Sequence, residues 1–330
     1  MTRMIVVLLV GALAWMVWWA VGKGAYEQGL AGWIDERRTD GWVADVGSLD
    51  TRGFPNRFDT TVADLNLADP ETGVAWSVPV LQILSLAYKP HQVIAVVSDT
   101  HRFSTPLASY QIRHDDARAS LFLKPEPALG LDSARLVLDG LDISSSLGWQ
   151  AGVVSGRFAV ESVDVAEDTY RLGADIEELA LAAPTKQLLD PAGVLPDVVE
   201  AMRLDATLAF NGPWDRFAIE DRRPQPTRLV LDDVSAVWGS VTFRAAGALE
   251  ISPDGYPDGE ITVRAVQWRQ LLEMAVSSGV LPKEAAGPLE RALALMSGQT
   301  DTLDAKFGFR GGMVRLGIIP IAPAPRLAIR

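Results

Sequence analysis

VADLNLADPETGVAWSV, residues 62–78, decides the fold. Val62, Leu65 and Leu67 lead into the turn Asp69-Pro70-Glu71-Thr72-Gly73, after which Val74, Trp76 and Val78 alternate with small or polar residues. A period of two sends successive side chains to opposite faces of a strand. Two such runs joined by Asp, Pro and Gly read as an antiparallel hairpin with one apolar face. The rhythm continues downstream in Ile83 to Tyr88, Gln92 to Val97, Leu121/Leu123, Leu136/Leu138, Phe158/Val160 and Val163/Val165. Strands that recur about every ten residues, with Asp, Gly and Pro between them, form a meander and not a βαβ series.

Further along, Pro184 to Met202 interrupts the pattern. Thr185 as a capping residue, Leu188 and Leu189, and then Val198, Val199 and Met202 beyond Pro191-Ala192-Gly193 predict two short helices. Strands resume at Leu204, Leu208 and Phe210, then at Leu229/Leu231, Val237, Val241 and Phe243. Leu249/Ile251 and Ile261/Val263 flank Ser252 to Gly259, a hairpin by its turn chemistry. Gln267 to Ser277 and Lys283 to Met296 read as amphipathic helices, with Pro282 placed to start the second. Leu303 to Phe309, a Gly311-Gly312 turn, Val314/Leu316 and the Pro-rich tail Ile319 to Pro325 complete the chain.

Upstream of the hairpin lies the most apolar segment. Met4 to Val21 carries no charge, and at 1.5 Å per residue it reaches about 27 Å, close to a hydrocarbon core. Arg3 and Lys23 bracket it. Met4, Leu8, Leu9, Leu13 and Val21 belong to the lipid-facing set, and Trp15, Trp18 and Trp19 cluster where indoles prefer headgroups. Trp18-Trp19 fills the place of a small-residue cleavage site, so residues 1–22 read as an uncleaved signal-anchor. Tyr26, Leu30, Trp33 and Ile34 mark one face of a juxtamembrane helix over 23–41, with Arg37 and Arg38 in its last turn and Gly41 as C-cap. Residues 42–330 follow as a single elongated β-rich domain, with 184–202 the only place for a division into two halves.

The expected fold is therefore α+β: a transmembrane helix, then a mainly antiparallel, curved sheet with a few packed helices. Arg3 and the α-amine favour an inside N-terminus, while Lys23, Arg37 and Arg38 weigh against it. An acidic body should not lie flat on an anionic leaflet. The expectation is a single-pass inner-membrane protein with its bulk in the periplasm.

Composition limits the chemistry. The 330 residues include 30 Lys and Arg against 42 Asp and Glu, a net charge of −12 that excludes nucleic acid as a partner. With no Cys, disulfides, thiolate zinc sites and cysteine nucleophiles are excluded together. His91, His101 and His114 lack any metal-ligand spacing. The neighbours Asp115-Asp116, Glu177-Glu178 and Asp232-Asp233 point to opposite faces of a strand and cannot act as dyads, although acids on facing strands escape such a test. Asp254 to Glu260 lies between strands and not between the helices of a calcium loop, and Gly152 to Gly156 is one residue out of step with a nucleophile elbow. No enzyme activity, metal or cofactor is expected. Outside the anchor, seven Trp, among them Trp76, Trp149, Trp214, Trp238 and Trp268, either fill a core or line a groove for acyl chains.

Several elements together resemble a family. They are Gly41-Trp42, Arg52-Gly53-Phe54-Pro55-Asn56-Arg57-Phe58-Asp59, Asp69-Pro70, Gly73-Val74-Ala75-Trp76, Pro213-Trp214-Asp215-Arg216, Pro224-Gln225-Pro226-Thr227 and Leu316 to Pro325. Behind one N-terminal span they are similar to the alphaproteobacterial family DUF2125, which implies an envelope protein with no assigned activity. More loosely, the pattern resembles AsmA-like proteins, which implies curved sheets, lipid traffic and outer-membrane assembly. Gly53, Phe54 and Pro55, with Trp76, Pro213 and Trp214, are expected to build structural corners. The leading expectation is lipid handled along an apolar sheet in envelope biogenesis. A tethered scaffold for envelope proteins comes next, and a hydrolase with two facing acids third.

Overall fold

A computed structural model describes residues 2–163, 165–220, 223–298 and 300–329. Helix α1 (Thr2–Thr39) runs unbroken through both predicted N-terminal segments, a length of about 57 Å. Its first half is apolar all round, as a helix surrounded by lipid must be. Gly41, at φ +90°, turns the chain out of the helix.

The sheet begins with β1 (Val43–Asp45), β2 (Ser48–Arg52), β3 (Arg57–Asp69) and β4 (Val74–Leu86). The β3–β4 hairpin is the one expected, with Leu67 opposite Trp76 and Leu65 opposite Val78. Next come β5 (Lys89–Val97), β6 (Thr100–Ser104), β7 (Ser109–Arg113), β8 (Asp116–Leu123), β9 (Leu131–Ser145), β10 (Gln150–Ser162) and β11 (Thr169–Ala180). Helix α2 (Ala183–Leu189) precedes β12 (Val198–Phe210), and α3 (Arg216–Glu220) precedes β13 (Pro226–Trp238), β14 (Val241–Ile251) and β15 (Pro257–Val266). Helices α4 (Trp268–Ser277) and α5 (Lys283–Ser297), then β16 (Thr302–Arg310), β17 (Met313–Leu316) and β18 (Ile319–Pro323), finish the chain.

Every ladder is antiparallel. From β9 to β18 each strand pairs with the next strand in sequence. Nearer α1, β1 and β2 share one position beside β3, β5 and β6 share the next beyond β4, and β7 and β8 lie end to end against β9. The fold is thus α+β, a large antiparallel sheet with a few helices.

The sheet's two faces differ in chemistry. One carries cross-strand ion pairs, among them Arg135–Glu161, Arg203–Asp175, Arg171–Asp205 and Arg264–Asp304. A hydrogen bond from Arg171 holds the Asp205 carboxyl below the usual carboxylate range. Such exposed pairs contribute little stability, but they keep that face wet. The other face is apolar and receives the helices. Leu30 of α1 packs on Val62, Leu65 and Val78, and Trp76 joins the same cluster. At the far end α4 and α5 enclose Trp268, Leu281, Leu289, Leu293, Leu303 and Ala305. Between them Leu195, Val199, Trp238 and Val241 form a third cluster, with Leu189 of α2 against it.

One expectation needs correction. Only one short helix forms in 184–202. Val198, Val199 and Met202 begin β12, where Val199 faces Leu179 and Met202 faces Ile176, because ladders on both sides override a weak helical pattern. The Pro-rich tail also forms a strand. As β18 it occupies the sheet edge, where the missing N–H groups of Pro320 and Pro323 are tolerated.

A candidate hydrocarbon trough

Register builds the site. Ile83 faces Ala95, Ala95 faces Ala119, Ala119 faces Leu136, and Leu136 faces Phe158. Phe158 faces Ala174, which faces Leu204, and the row continues through Val234, Ala245, Val263 and Ala305. Eleven directly opposed apolar residues thus cross eleven strands, a path of about 48 Å at the usual strand spacing. The next row repeats the chemistry: Val93, Leu121, Ala134, Val160, Leu172, Ala206 and Leu231.

Helices cover the two ends of this face but not its middle. At the α1 end Phe58, Thr51 and Thr60 are fully buried, and the two threonine hydroxyls bond each other at 2.9 Å. From Ile83 to Leu204 no residue of the row is buried. Here lies an open trough of about 600 Å³ between Ile83, Val93, Leu121, Leu136, Phe158, Leu172 and Leu204. A second cavity of about 640 Å³ lies under α4 and α5, against Phe243, Val263, Trp268, Leu289 and Phe307. Both have the volume of ordinary ligand sites, and among the described residues Arg135 alone brings a charge to the lining of the trough, while none lines the second cavity. Such walls can hold hydrocarbon, worth about 0.8 kcal/mol per buried CH₂.

The three tryptophans in the apolar half of α1 reach the sheet. Trp15 Nε1 donates to the Pro55 carbonyl at 2.8 Å, Trp18 Nε1 to Ala87 at 3.0 Å, and Trp19 Nε1 to Arg57 at 2.8 Å. Trp19 meets Phe54 edge-on at 5.4 Å. Met4, Leu8, Leu9, Leu13 and Val21 stand exposed around the helix. Gly53, at φ +105°, accepts backbone bonds from Asn56 and Arg57, and a Cβ there would stand 2.8 Å from the Arg57 carbonyl oxygen. Pro213 and Trp214 lie in the β12–β13 connection. There the Trp214 N–H donates to the Tyr170 hydroxyl at 3.1 Å, and the Trp214 carbonyl accepts the Leu131 N–H at 2.7 Å.

His101 and His114 come together, with rings 5.5 Å apart, and Trp76 stands edge-on to His101. No group of three or more His, Asp or Glu that could hold a metal occurs among the described residues. Asp175 and Asp205 share the charged face, each held by an arginine. Among the tryptophans, Trp238 and Trp268 are buried and donate to the Pro196 and Thr300 carbonyls. Trp268 lines the cavity under α4 and α5, but no tryptophan among the described residues lines the trough, whose walls are mostly Leu, Val, Ala, Ile83 and Phe158, with Ser120 and Arg135. Leu136/Leu138 and Phe158/Val160 stood out in the sequence as strand patterns. Their alignment into one row depends on register, which alternation alone does not specify.

The family model described as "Uncharacterized protein conserved in bacteria (DUF2125)" matches residues 19–325. The chain belongs to the DUF2125 family. The match starts at Trp19 in α1 and covers every strand, so the trough lies inside the family's shared region. No curated protein and no solved structure matches the chain. In this DUF2125 member α1 is the one helix among the described residues that is long and apolar enough to cross a membrane.

Proposed function

We propose that this DUF2125 protein is a membrane-tethered lipid-handling protein whose trough shields acyl chains during cell-envelope biogenesis. In this reading α1 anchors it in the inner membrane, the sheet stands in the periplasm, and the protein performs no bond chemistry. One observation carries the proposal: the row of apolar partners that runs from Ile83 to Ala305 is left uncovered between Ile83 and Leu204. An apolar surface of that extent on a soluble body marks a site for a ligand or a membrane. The AsmA-like resemblance leans the same way at the level of fold analogy.

Leu136 and Val137 are adjacent and point to opposite faces, so they give an internal control. A photo-crosslinking amino acid at 136 in the full chain, irradiated in cells, is expected to capture phospholipid, while one at 137 is not. Equal capture at both positions, or none at 136, would sink the lipid reading. Exposed Leu295 and Ile318, at the opposite end of the sheet from α1, favour a second reading as a scaffold for envelope proteins. That reading predicts protein adducts at 295 or 318 and none in the trough.

A further inference from the structure

Helix length and the position of the first contact do not fit a bilayer that ends where the sheet begins. From Arg3 to Lys23 α1 rises about 30 Å, the thickness of a hydrocarbon core. The sheet already touches the helix at Trp15, through the Pro55 carbonyl. A span that stopped there would be only about 18 Å long. The bilayer must therefore extend past that contact, beside the β2–β3 turn at 53–56 and the β4–β5 turn at 87–88.

We infer that these two turns insert into the interface of the leaflet through which α1 leaves the membrane. Their side chains suit that depth. Phe54 is 52% exposed and Tyr88 57% exposed, both aromatic, with Leu86 beside them. Arg52, Arg57 and Lys89 stand within three residues of the tips; Arg52 and Arg57 are paired with Asp50 and Asp59, and these charges, with Lys89 reaching for the phosphates, limit insertion to the headgroup and upper-chain region. The backbone is prepared as well. Carbonyls at a turn tip have no ladder partner, and each would be costly near lipid. Pro55, Ala87 and Arg57 are the three whose carbonyls receive the indole N–H groups of Trp15, Trp18 and Trp19. Because β4 ends and β5 begins at this tip, the sheet face that bears the apolar row meets the leaflet here, with Ser85, bonded to Tyr26, and His91 between the row and the tip. The inference rests on reading α1 as the anchor and is independent of whether the trough carries lipid.

The absence of cysteine makes single labels straightforward. Leu8→Cys, Phe54→Cys, Tyr88→Cys and Leu107→Cys, each in the full chain, would carry an environment-sensitive fluorophore. The proteins would sit in vesicles of phosphatidylethanolamine and phosphatidylglycerol doped with nitroxide lipids. Labels at 54 and 88 are expected to show blue-shifted emission and loss of fluorescence to a nitroxide placed high on the acyl chain. The label at 8 should respond to a nitroxide near mid-chain, and that at 107, on the exposed turn at the opposite end of β6, to neither. Tyr88→Cys leaves the Trp19–Phe54 contact intact and so reads insertion even if Phe54→Cys disturbs the turn. Responses at 54 and 88 that match 107, with 8 still quenched, would overturn the inference and leave the anchor standing. Loss of quenching at 8 as well would overturn both.

Discussion

His101 and His114 stand thirteen positions apart in the sequence, and nothing in that spacing brings them together. The β6–β7 ladder does, by setting Thr100 opposite Arg113 and His101 opposite Ile112. His114 is 6% exposed, with both ring nitrogens buried and unbonded, and His101 lies partly buried against it. Burial pushes the His101 pKa below its ordinary 6.5. A hydrogen bond to the Ser98 carbonyl opposes that shift, and the neighbouring His114 adds to it. Between the folded value and 6.5 the unfolded chain binds more protons, so the free energy of unfolding rises with pH across that window. Stability is expected to be level above pH 6.5 and to decline as the pH falls below it. The carboxylates with shifted values, Asp50, Asp69, Asp197 and Asp205, titrate below 3.8 and do not blur that window. Thermal melts of the wild type and His101→Gln across this range provide the check. An unchanged acid decline in the variant would remove His101 as its source.

Helix α1 packs tightly on the sheet at Gly22, where a Cβ would stand 2.3 Å from Phe58 Cζ. Around that point Tyr26 bonds Ser85 at 2.8 Å, and Glu27 accepts the Thr51 N–H at 2.9 Å. Gly24, two residues on, faces open space. Gly22→Ala is therefore expected to destabilise the docked helix by about 1–3 kcal/mol through overpacking. Gly24→Ala should be neutral or stabilise by up to about 1 kcal/mol through helix propensity. Denaturant melts in detergent distinguish them, and equal effects would show that α1 is not seated on Phe58. The docking face itself was legible in the helical period of Tyr26, Leu30 and Ile34, but Trp33, placed on the same face, stands exposed. The contacts of Trp15, Trp18 and Trp19 were not legible, because an indole facing headgroups and one facing a carbonyl read alike. In 184–202 the apolar spacing reads as two helices; the first forms as α2, and the ladders to β11 and β13 make the second part strand.

Across the whole molecule, the strand order from β9 to β18 followed from the meander rhythm, but the shared positions nearer α1 and the long apolar row did not. It depends on irregularities that keep one set of side chains on one face. At Asp64, with φ +52°, burial in β3 shifts from Phe58, Thr60 and Val62 to Leu65, and between Leu231 and Val234 the β13 ladder changes register. The left-handed residue in β3 turns the burial pattern without a change of register, and the β13 irregularity keeps Leu231 and Val234 on the apolar face. Two faces of opposite chemistry predict two different responses to a ligand. An acyl chain bound in the trough must stabilise the folded state, by about 2.7 kcal/mol at a hundredfold excess over Kd. Apolar contact is indifferent to screening, so the gain should persist at an ionic strength of about 1 M, where exposed charge pairs are screened out. Leu136→Asp and Leu204→Asp, on the uncovered stretch, are expected to abolish the gain while leaving the ligand-free melting temperature nearly unchanged. Titrating phospholipid into purified full-length protein while following its unfolding measures this directly. A stabilisation that survives both substitutions but disappears with salt would assign lipid to the arginine-bearing face and reverse the polarity of the sheet.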